Sequence, residues 1–532
     1  MDIMLERHLG SGESNVLTRS FDYVIVGAGS AGCVIARRLV EGTNATILLV
    51  EAGGTGEGIP TISNPARWVE NIGSSHDWSY RYAPTPHVDH RSIPLARGKV
   101  LGGCGSINGL AWVRRNSAVY DDWANAGNAG WDFDSLLPLF KKSEDWEDGA
   151  HEFRGAGGPV RVERAKDLQP VATALIDACQ SYGMPYLDDM NDPSPEGVCI
   201  LNLNVRDGQR CGPAIAFLRP VMHQERLTIL TEAQAVKLRF SGTRCIGVDI
   251  LIDDKPHSIN ASREVVVSAG AIDTPRLLML SGIGPEAEIK GLGIAPIVNL
   301  PGVGQSLQDH PFVAGLCFEP RTTMPPPNNN LSGSSAFWKS RPSLRVPDLM
   351  YVPVFAPYVT DEIRAQYVVP PNAFTLAPAL MQPQSRGFLR MTTAKHDGPL
   401  EIQPNFLKEQ ADVDALVTGI EIGLEIASQP AFRDLIKAWA TPTSKMSREE
   451  TVAFLRRATA SYFHPVGTCA MGTGKEAVVD AKLRIHGIEG LRVADASIMP
   501  SIPAANTNAA CIMIGEFASR EIVSANNHKA AG

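Results

Sequence analysis

Four sets of residues in the 532-residue chain have types and spacings that could do chemistry. In FDYVIVGAGSAGCVIARRLV (21–40), Gly27, Gly29 and Gly32 stand in a GxGxxG spacing. Such glycines allow a tight turn, a close approach of backbone to a pyrophosphate, and tight packing of the following helix on the preceding strand. Glu51 closes the apolar run ATILLVEAGG nineteen residues after Gly32, where a carboxylate can accept both hydroxyls of an adenosine ribose. The pair points to an adenine dinucleotide and, through Glu51, away from the 2′-phosphate of NADP; NAD and FAD both stay open. In RGKVLGGCGSINGLAWVRR (97–115), Gly102, Gly103 and Gly105 give a backbone that can lie flat against a planar or phosphate-bearing ligand, with Asn108 as donor and acceptor beside it. An ordinary structural loop fits that composition equally well. SYFHPVGTCAMG (461–472) presents His464, and VADASIMPSIPAANTNAACIMIGEFASREI (493–522) presents Asp495, Asn506, Thr507 and Asn508. A lone histidine is more often structural than catalytic, and asparagines ahead of a helix more often cap it.

Elements must hold these residues in place. The run Phe21–Val26 is apolar without clean alternation, as expected of a strand buried on both faces of a parallel sheet. The helix after it turns its first amides and positive dipole end toward the phosphate. Asp495 ends a later strand, where backbone and side chain can approach a pyrophosphate or ribityl chain. SAGAIDTPRLLMLSGIGP (268–285) reads as strand, turn, helix and glycine stop, with Pro275 near the helix start.

Bulk properties narrow the function. The length favours two domains over one core. A net charge of -8 and a pI near 5.9 argue against nucleic acid as a partner. The longer apolar runs are too short for a transmembrane segment. Residues 1–20 lack the apolar centre of a secretory signal and are expected to form a flexible extension. The expected location is cytoplasmic, with peripheral attachment to the inner membrane as the second placement. Nine scattered cysteines without a CxxC pair favour reduced thiols, and no metal-ligand spacing is present. The patch TTMPPPNNN is expected to be an exposed loop.

Beyond these readings, the chain resembles the glucose–methanol–choline (GMC) oxidoreductases, which use FAD. GAIDTPRLLMLSGIG (270–284) and GKVLGGCGSIN (98–108) are similar to the two family signatures, with Cys104 and Arg115 as departures. PGVGQSLQDHP (301–311) and the C-terminal blocks extend the resemblance over roughly residues 21–522. It implies that Gly27, Gly29, Ser30, Ala31, Gly32 and Glu51 hold the ADP part of FAD. Val100, Gly103 and Asn108 then lie along the flavin side, and Val236 in TEAQAVKL meets the adenine through its backbone. The place from which some relatives attach FAD through a histidine is Ile107 here, so FAD is expected to be non-covalent.

The resemblance also implies His464 as the active-site base and Asn508 as its partner. The expected reaction is oxidation of a primary alcohol to an aldehyde, with hydride transfer to flavin N5 and an imidazole taking the hydroxyl proton. With no second dinucleotide fingerprint, electrons are expected to pass to oxygen or to a quinone or protein rather than NAD. Tyr462, two residues before His464, could hinder oxygen, which favours a dehydrogenase over a peroxide-forming oxidase; a hydroxynitrile-lyase-type flavoprotein is a further alternative. Tyr462 and Phe463 point to an aromatic or apolar alcohol. The expected fold is α/β: a discontinuous Rossmann-like FAD domain (21–155, 196–311 and 456–532) and an α+β substrate-binding domain on an antiparallel sheet (156–195 and 312–455).

Overall fold

The structure is a computed structural model that describes residues 19–114, 117–192 and 196–531. Arg115 and residues 1–18 of the expected extension lie outside the described residues; Ser20 already belongs to the first strand.

The opening is β1 (Ser20–Val26), α1 (Ser30–Gly42) and β2 (Ile47–Val50). The two strands are parallel, with Val24 opposite Leu48. Strand Leu227–Leu230 adds in parallel outside β2, and Lys255–Val267 adds in parallel on the other side of β1. An antiparallel meander through Arg244–Ile252 and Ala233–Ser241 completes that side, while Leu491–Val493 pairs in parallel with the end of Lys255–Val267. Residues 23–26 and 47–50 are buried on both faces, as their unbroken apolar character requires. The C-terminal helix Asn508–Ala531 covers α1 closely: a Cβ at Gly515 would stand 2.8 Å from the Ala31 carbonyl oxygen.

A second sheet of eight strands builds the other half. Its main path runs through Ile436–Thr441, Cys317–Pro320, Phe374–Leu380, Leu349–Val354, Ser334–Trp338 and Gly197–Ile200, joined by Pro311–Val313 and Thr459–Ser461. Every pairing in it is antiparallel. Gly197–Ile200 and Thr459–Ser461 therefore sit on this sheet although they fall just outside 156–195 and 312–455. The strand Gly387–Met391 from SRGFLRMTT stands apart, in a three-stranded sheet with Gln305–Leu307 and Leu400–Gln403. The apolar helix Gln410–Ala427 packs on the eight-stranded sheet.

Two junctions position the site. Pro275 lies inside the helix Gly270–Leu280 rather than at its start, and it offers no N–H to the carbonyl of Ala271. Thr468 Oγ1 donates to that carbonyl instead, at 2.7 Å, tying the helix to the segment that follows His464. The second junction is the pairing of Pro311–Val313 with Thr459–Ser461, Pro311 opposite Ser461. It brings residues 309–310 beside residues 462–464.

Candidate active site

A long cavity runs between the two sheets. At one end its walls include Gly27, Gly29, Ser30, Ala31, Glu51, Ala235, Asp273 and Arg276; its walls also include Gly103, Asn108, Asp495, Asn506, Asn508, Tyr462 and His464. Among the expected site residues, Gly32, Val100 and Val236 are not in the wall. Gly32 acts behind it, since a Cβ there would stand 2.0 Å from the Gly27 carbonyl oxygen, so α1 can lie this close to the turn only with glycine. Val100, within the 98–108 loop, is buried with Ile62 and Ile107. Val236 sits at a bulge: Ala235 faces Ile250 and Lys237 faces Asp249, so the ladder skips it, while its neighbours Ala233, Gln234 and Ala235 line the cavity.

The dinucleotide end has the features of a phosphate and ribose cradle. No side chain caps α1 at Gly29, so the first amides of the helix are left for a ligand. Glu51 accepts from the Ala28 amide at 3.0 Å and the Gly53 amide at 2.9 Å, one on each oxygen. Burial pushes its pKa up to about 7 against the pull of those two amides. Gly103 has φ of 54° and crosses against Gly29, whose Cα would lie 2.8 Å from any Cβ. The Oδ1 of Asn108 is committed to protein, accepting from Leu110 N–H and from an Arg210 guanidinium N–H. Asp495 is also saturated: it accepts from the Gly270 amide, Thr274 Oγ1 and the Ser497 amide, and burial raises its pKa. Its carboxylate therefore holds the start of helix Gly270–Leu280.

His464 follows Thr459–Ser461 through a strained turn in which Phe463 has φ of 62°, a left-handed conformation that costs a bulky residue roughly 1–3 kcal/mol. The turn is held at each peptide. Asp309 Oδ1 accepts the His464 amide at 2.8 Å, Ser461 Oγ accepts the Phe463 amide at 2.8 Å, and the Arg97 guanidinium donates to the Phe463 carbonyl. On the imidazole, Nδ1 is 2.9 Å from His310 Nδ1, and Nε2 is 3.4 Å from Asn506 Nδ2. Burial first, then His310 and Arg97, hold the His464 pKa well below the usual imidazole value.

Asn508 is placed differently from its expected role. Its Oδ1 accepts from Ser30 Oγ at 2.8 Å, linking the start of the C-terminal helix to α1, and its Nδ2 is buried without a partner. The amide beside His464 belongs to Asn506, whose Oδ1 is likewise buried and unpartnered. Asn508 opens a helix and turns back to the dinucleotide loop; Asn506 lies in the loop before it and reaches the imidazole. Sequence spacing singled out both asparagines but carried no signal for which one meets the histidine. It carried none for His310, Asp309 or Arg97 either.

Tyr462 stacks on Phe312 at 4.9 Å, Phe312 meets Tyr358 edge-on, and Tyr462 is 4.7 Å from the His464 ring. Met350, Val352, Val354 and Leu331 extend this apolar wall. The carboxylates that line the cavity are Glu51, Asp273 and Asp495.

A mixed sheet with a parallel centre and an uncapped glycine-turn helix, joined to an antiparallel sheet beside which a half-buried imidazole lines the cavity, is the architecture of a dinucleotide-dependent oxidoreductase. Family models described as GMC oxidoreductase match residues 21–312 and 383–515. The chain is 35% identical to mitochondrial choline dehydrogenase of Mus musculus, covering 94% of this chain and 88% of that protein. It is also 35% identical to choline oxidase of Arthrobacter globiformis, covering 94% of each. Among solved structures it is similar to pyridoxine 4-oxidase from Mesorbium loti, with TM-score 0.90, 32% identity, and 94% and 98% of the two chains covered. A formate oxidase variant of Aspergillus oryzae RIB40, studied for its FAD modification, gives TM-score 0.87 at 28% identity over 96% and 99%.

The chain belongs to the GMC oxidoreductase family. Its cofactor is FAD, and it is an oxidoreductase of alcohol-type substrates. The residues fit that cofactor: the uncapped amides of α1, the unpartnered Asn508 Nδ2 and the acceptor carboxylate of Glu51 all border the cavity. No group of three His, Cys, Asp or Glu able to hold a metal occurs among the described residues, and no helix there is long and apolar enough to cross a membrane.

Proposed function

We propose that the chain oxidises a primary alcohol to the aldehyde, with His464 taking the hydroxyl proton at Nε2. The observation that carries this reading is the half-buried imidazole of His464, its Nδ1 engaged by His310 and its Nε2 left toward Asn506 and the cavity. When bound, FAD would supply the hydride acceptor, and the onward electron acceptor would be other than NAD. Gly27, Gly29, Ser30, Ala31 and Glu51 hold its ADP part, the Val236 bulge its adenine, and Gly103, Asn108 and Asn508 the remainder. Asp495 acts through the helix it anchors. Ile107 is a buried aliphatic side chain, so the link stays non-covalent.

Burial keeps His464 unprotonated at neutral pH, so the base is ready when the alcohol enters. Asn506 takes the partner role expected of Asn508: its Nδ2 donates to the alcohol oxygen as negative charge grows there. The wall of Phe312, Tyr358, Tyr462 and Met350 favours an aromatic or apolar alcohol, and no cavity-lining carboxylate outside the cofactor cradle is available to a cationic one. Tyr462 beside His464 favours a dehydrogenase. Oxygen as acceptor is the second reading, because the similar proteins include choline oxidase and pyridoxine 4-oxidase.

The test is anaerobic mixing of the yellow holoenzyme with benzyl alcohol, pyridoxine and choline while flavin absorbance is followed. His464→Ala should slow bleaching by about 10²–10⁴-fold at unchanged flavin content. Near-native bleaching in that variant removes His464 from the base role. Rapid peroxide formation in air overturns the dehydrogenase assignment, and cleavage of an aldehyde cyanohydrin to the aldehyde and cyanide without bleaching by any alcohol overturns the redox reading.

A further inference from the structure

We propose that His310 is a positioning residue that fixes His464 in the tautomer with a bare Nε2, acting as a neutral counterpart of the carboxylate behind the histidine of a Ser-His-Asp triad. This rests on the reading of His464 as the base. The two histidines are far apart in sequence, and the pairing of Pro311–Val313 with Thr459–Ser461 joins them; Tyr462 N–H donates to the His310 carbonyl at 3.0 Å. Two adjacent residues then hold the base by different handles. Asp309 fixes its backbone, accepting the His464 amide with Oδ1 while Oδ2 accepts Tyr82 Oη at 2.7 Å and Ser461 Oγ at 2.5 Å. His310 fixes its ring, with Nδ1 2.9 Å from His464 Nδ1 and the ring planes at 89°.

Two imidazoles at that distance need one proton between the facing nitrogens: two would collide and none would oppose two lone pairs. His310 is fully buried, and burial pushes its pKa down to about 3, so it stays neutral and carries one N–H. The polar groups turned to its ring are the carbonyls of Met381 and Pro503, which favour an N–H. His310 Nε2 is buried without a hydrogen-bond partner. Across the base, Asn506 Nδ2, which can only donate, stands 3.4 Å from His464 Nε2, so His464 Nε2 is the acceptor and the proton between the two Nδ1 atoms sits on His464. His464 must then donate from Nδ1, and its Nε2 is bare.

The titratable or charged groups facing His464 are His310, Arg97, Asp309 and Tyr462, with the neutral amide of Asn506 beside Nε2. Asp309 is occupied by three donors. A carboxylate in the place of His310 would raise the pKa of the base; a neutral ring orients it without doing so. When Nε2 gains the alcohol proton, His464 becomes imidazolium and keeps its Nδ1–H bond. His310, fully buried, stays neutral throughout.

His310→Phe keeps a ring and removes the acceptor; His310→Gln restores an amide oxygen. In the holoenzyme with benzyl alcohol, His310→Phe should slow flavin bleaching by about 10²–10⁴-fold, the scale of a wrong tautomer, with flavin content and apparent alcohol affinity within about twofold. His310→Gln should recover at least about tenfold of that loss. Unchanged bleaching in the Phe variant, or equal loss in both, overturns the proposal. If the Phe variant fails to load flavin, ¹⁵N-histidine NMR of the unsubstituted holoenzyme decides, with His464 identified by the signal missing in His464→Ala. Protonation at Nδ1 is expected, and protonation at Nε2 overturns the assignment. A His464→Ala enzyme that still bleaches normally would instead refute the base reading, so the two failures are distinguishable.

Discussion

The two asparagines separated by one residue offer the sharpest perturbation, because their surroundings demand different outcomes from the same substitution. Asn506→Ala removes the amide 3.4 Å from His464 Nε2. That distance is long for a hydrogen bond, so the amide is barely engaged with the free base and is available to the alcohol oxygen. Losing a donor aimed at growing negative charge costs about 10²–10³-fold, or roughly 3–4 kcal/mol of barrier. Asn508→Ala removes a neutral hydrogen bond to Ser30 Oγ at 2.8 Å, with a net worth of about 0.5–1.5 kcal/mol. If all of that loss reached the rate, it would be roughly tenfold or less.

Stopped-flow reduction at saturating alcohol, without oxygen, separates the two. Asn506→Ala should bleach at least about tenfold more slowly than Asn508→Ala at equal flavin content. Asn508→Ala should show its main effect in flavin retention, because the bond it loses ties two parts of the dinucleotide cradle. The reverse order, with Asn508→Ala slow and Asn506→Ala near native, would return the partner role to Asn508 and refute the geometric reasoning.

Three further outcomes follow from the same geometry. Glu51→Gln places an NH₂ against one of two backbone amides that now donate to the carboxylate, so FAD affinity should fall by about tenfold in titration of apoprotein, and unchanged affinity would refute the cradle. The base works only when neutral and its pKa is depressed, so bleaching should be at full rate at neutral pH and fall only as pH drops below the ordinary imidazole range; an acid limb at or above 6.5 would contradict it. His310 has a folded pKa of about 3 against 6.5, so the unfolded chain binds the extra proton between those values and stability must rise with pH there. Urea unfolding at about pH 5 and pH 7 should show His310→Phe losing about 2 kcal/mol less than the native chain on acidification.

What the sequence made legible was local. The GxGxxG turn constrains backbone within six residues, so Gly27 and Gly32 could be given their roles from spacing, and the unbroken apolar runs of β1 and β2 named a buried parallel pair. Val236 was less legible, because a bulge depends on how Ala235 and Lys237 meet another strand. Side-chain direction was not legible at all in the NTN stretch: whether Asn506 or Asn508 faces the imidazole depends on where the C-terminal helix begins. His310 could not be found from spacing, since only the pairing of Pro311–Val313 with Thr459–Ser461 brings it to His464. The same pairing explains why Thr459–Ser461 joins the eight-stranded sheet although it lies inside the expected cofactor segments.

That seam also accounts for the strain at Phe463. A left-handed bulky residue persists only where its surroundings over-determine it, and here three groups do so: Ser461 Oγ on its amide, Arg97 on its carbonyl, and Asp309, itself bonded to Ser461, on the next amide. Arg97 comes from the edge of the glycine-rich flavin-side loop, Asp309 from the approach to the second sheet, and Ser461 from the strand itself. Each half of the molecule thus holds one side of the turn that carries the base. Neither half could build the site alone, because the imidazole is aimed by groups from both.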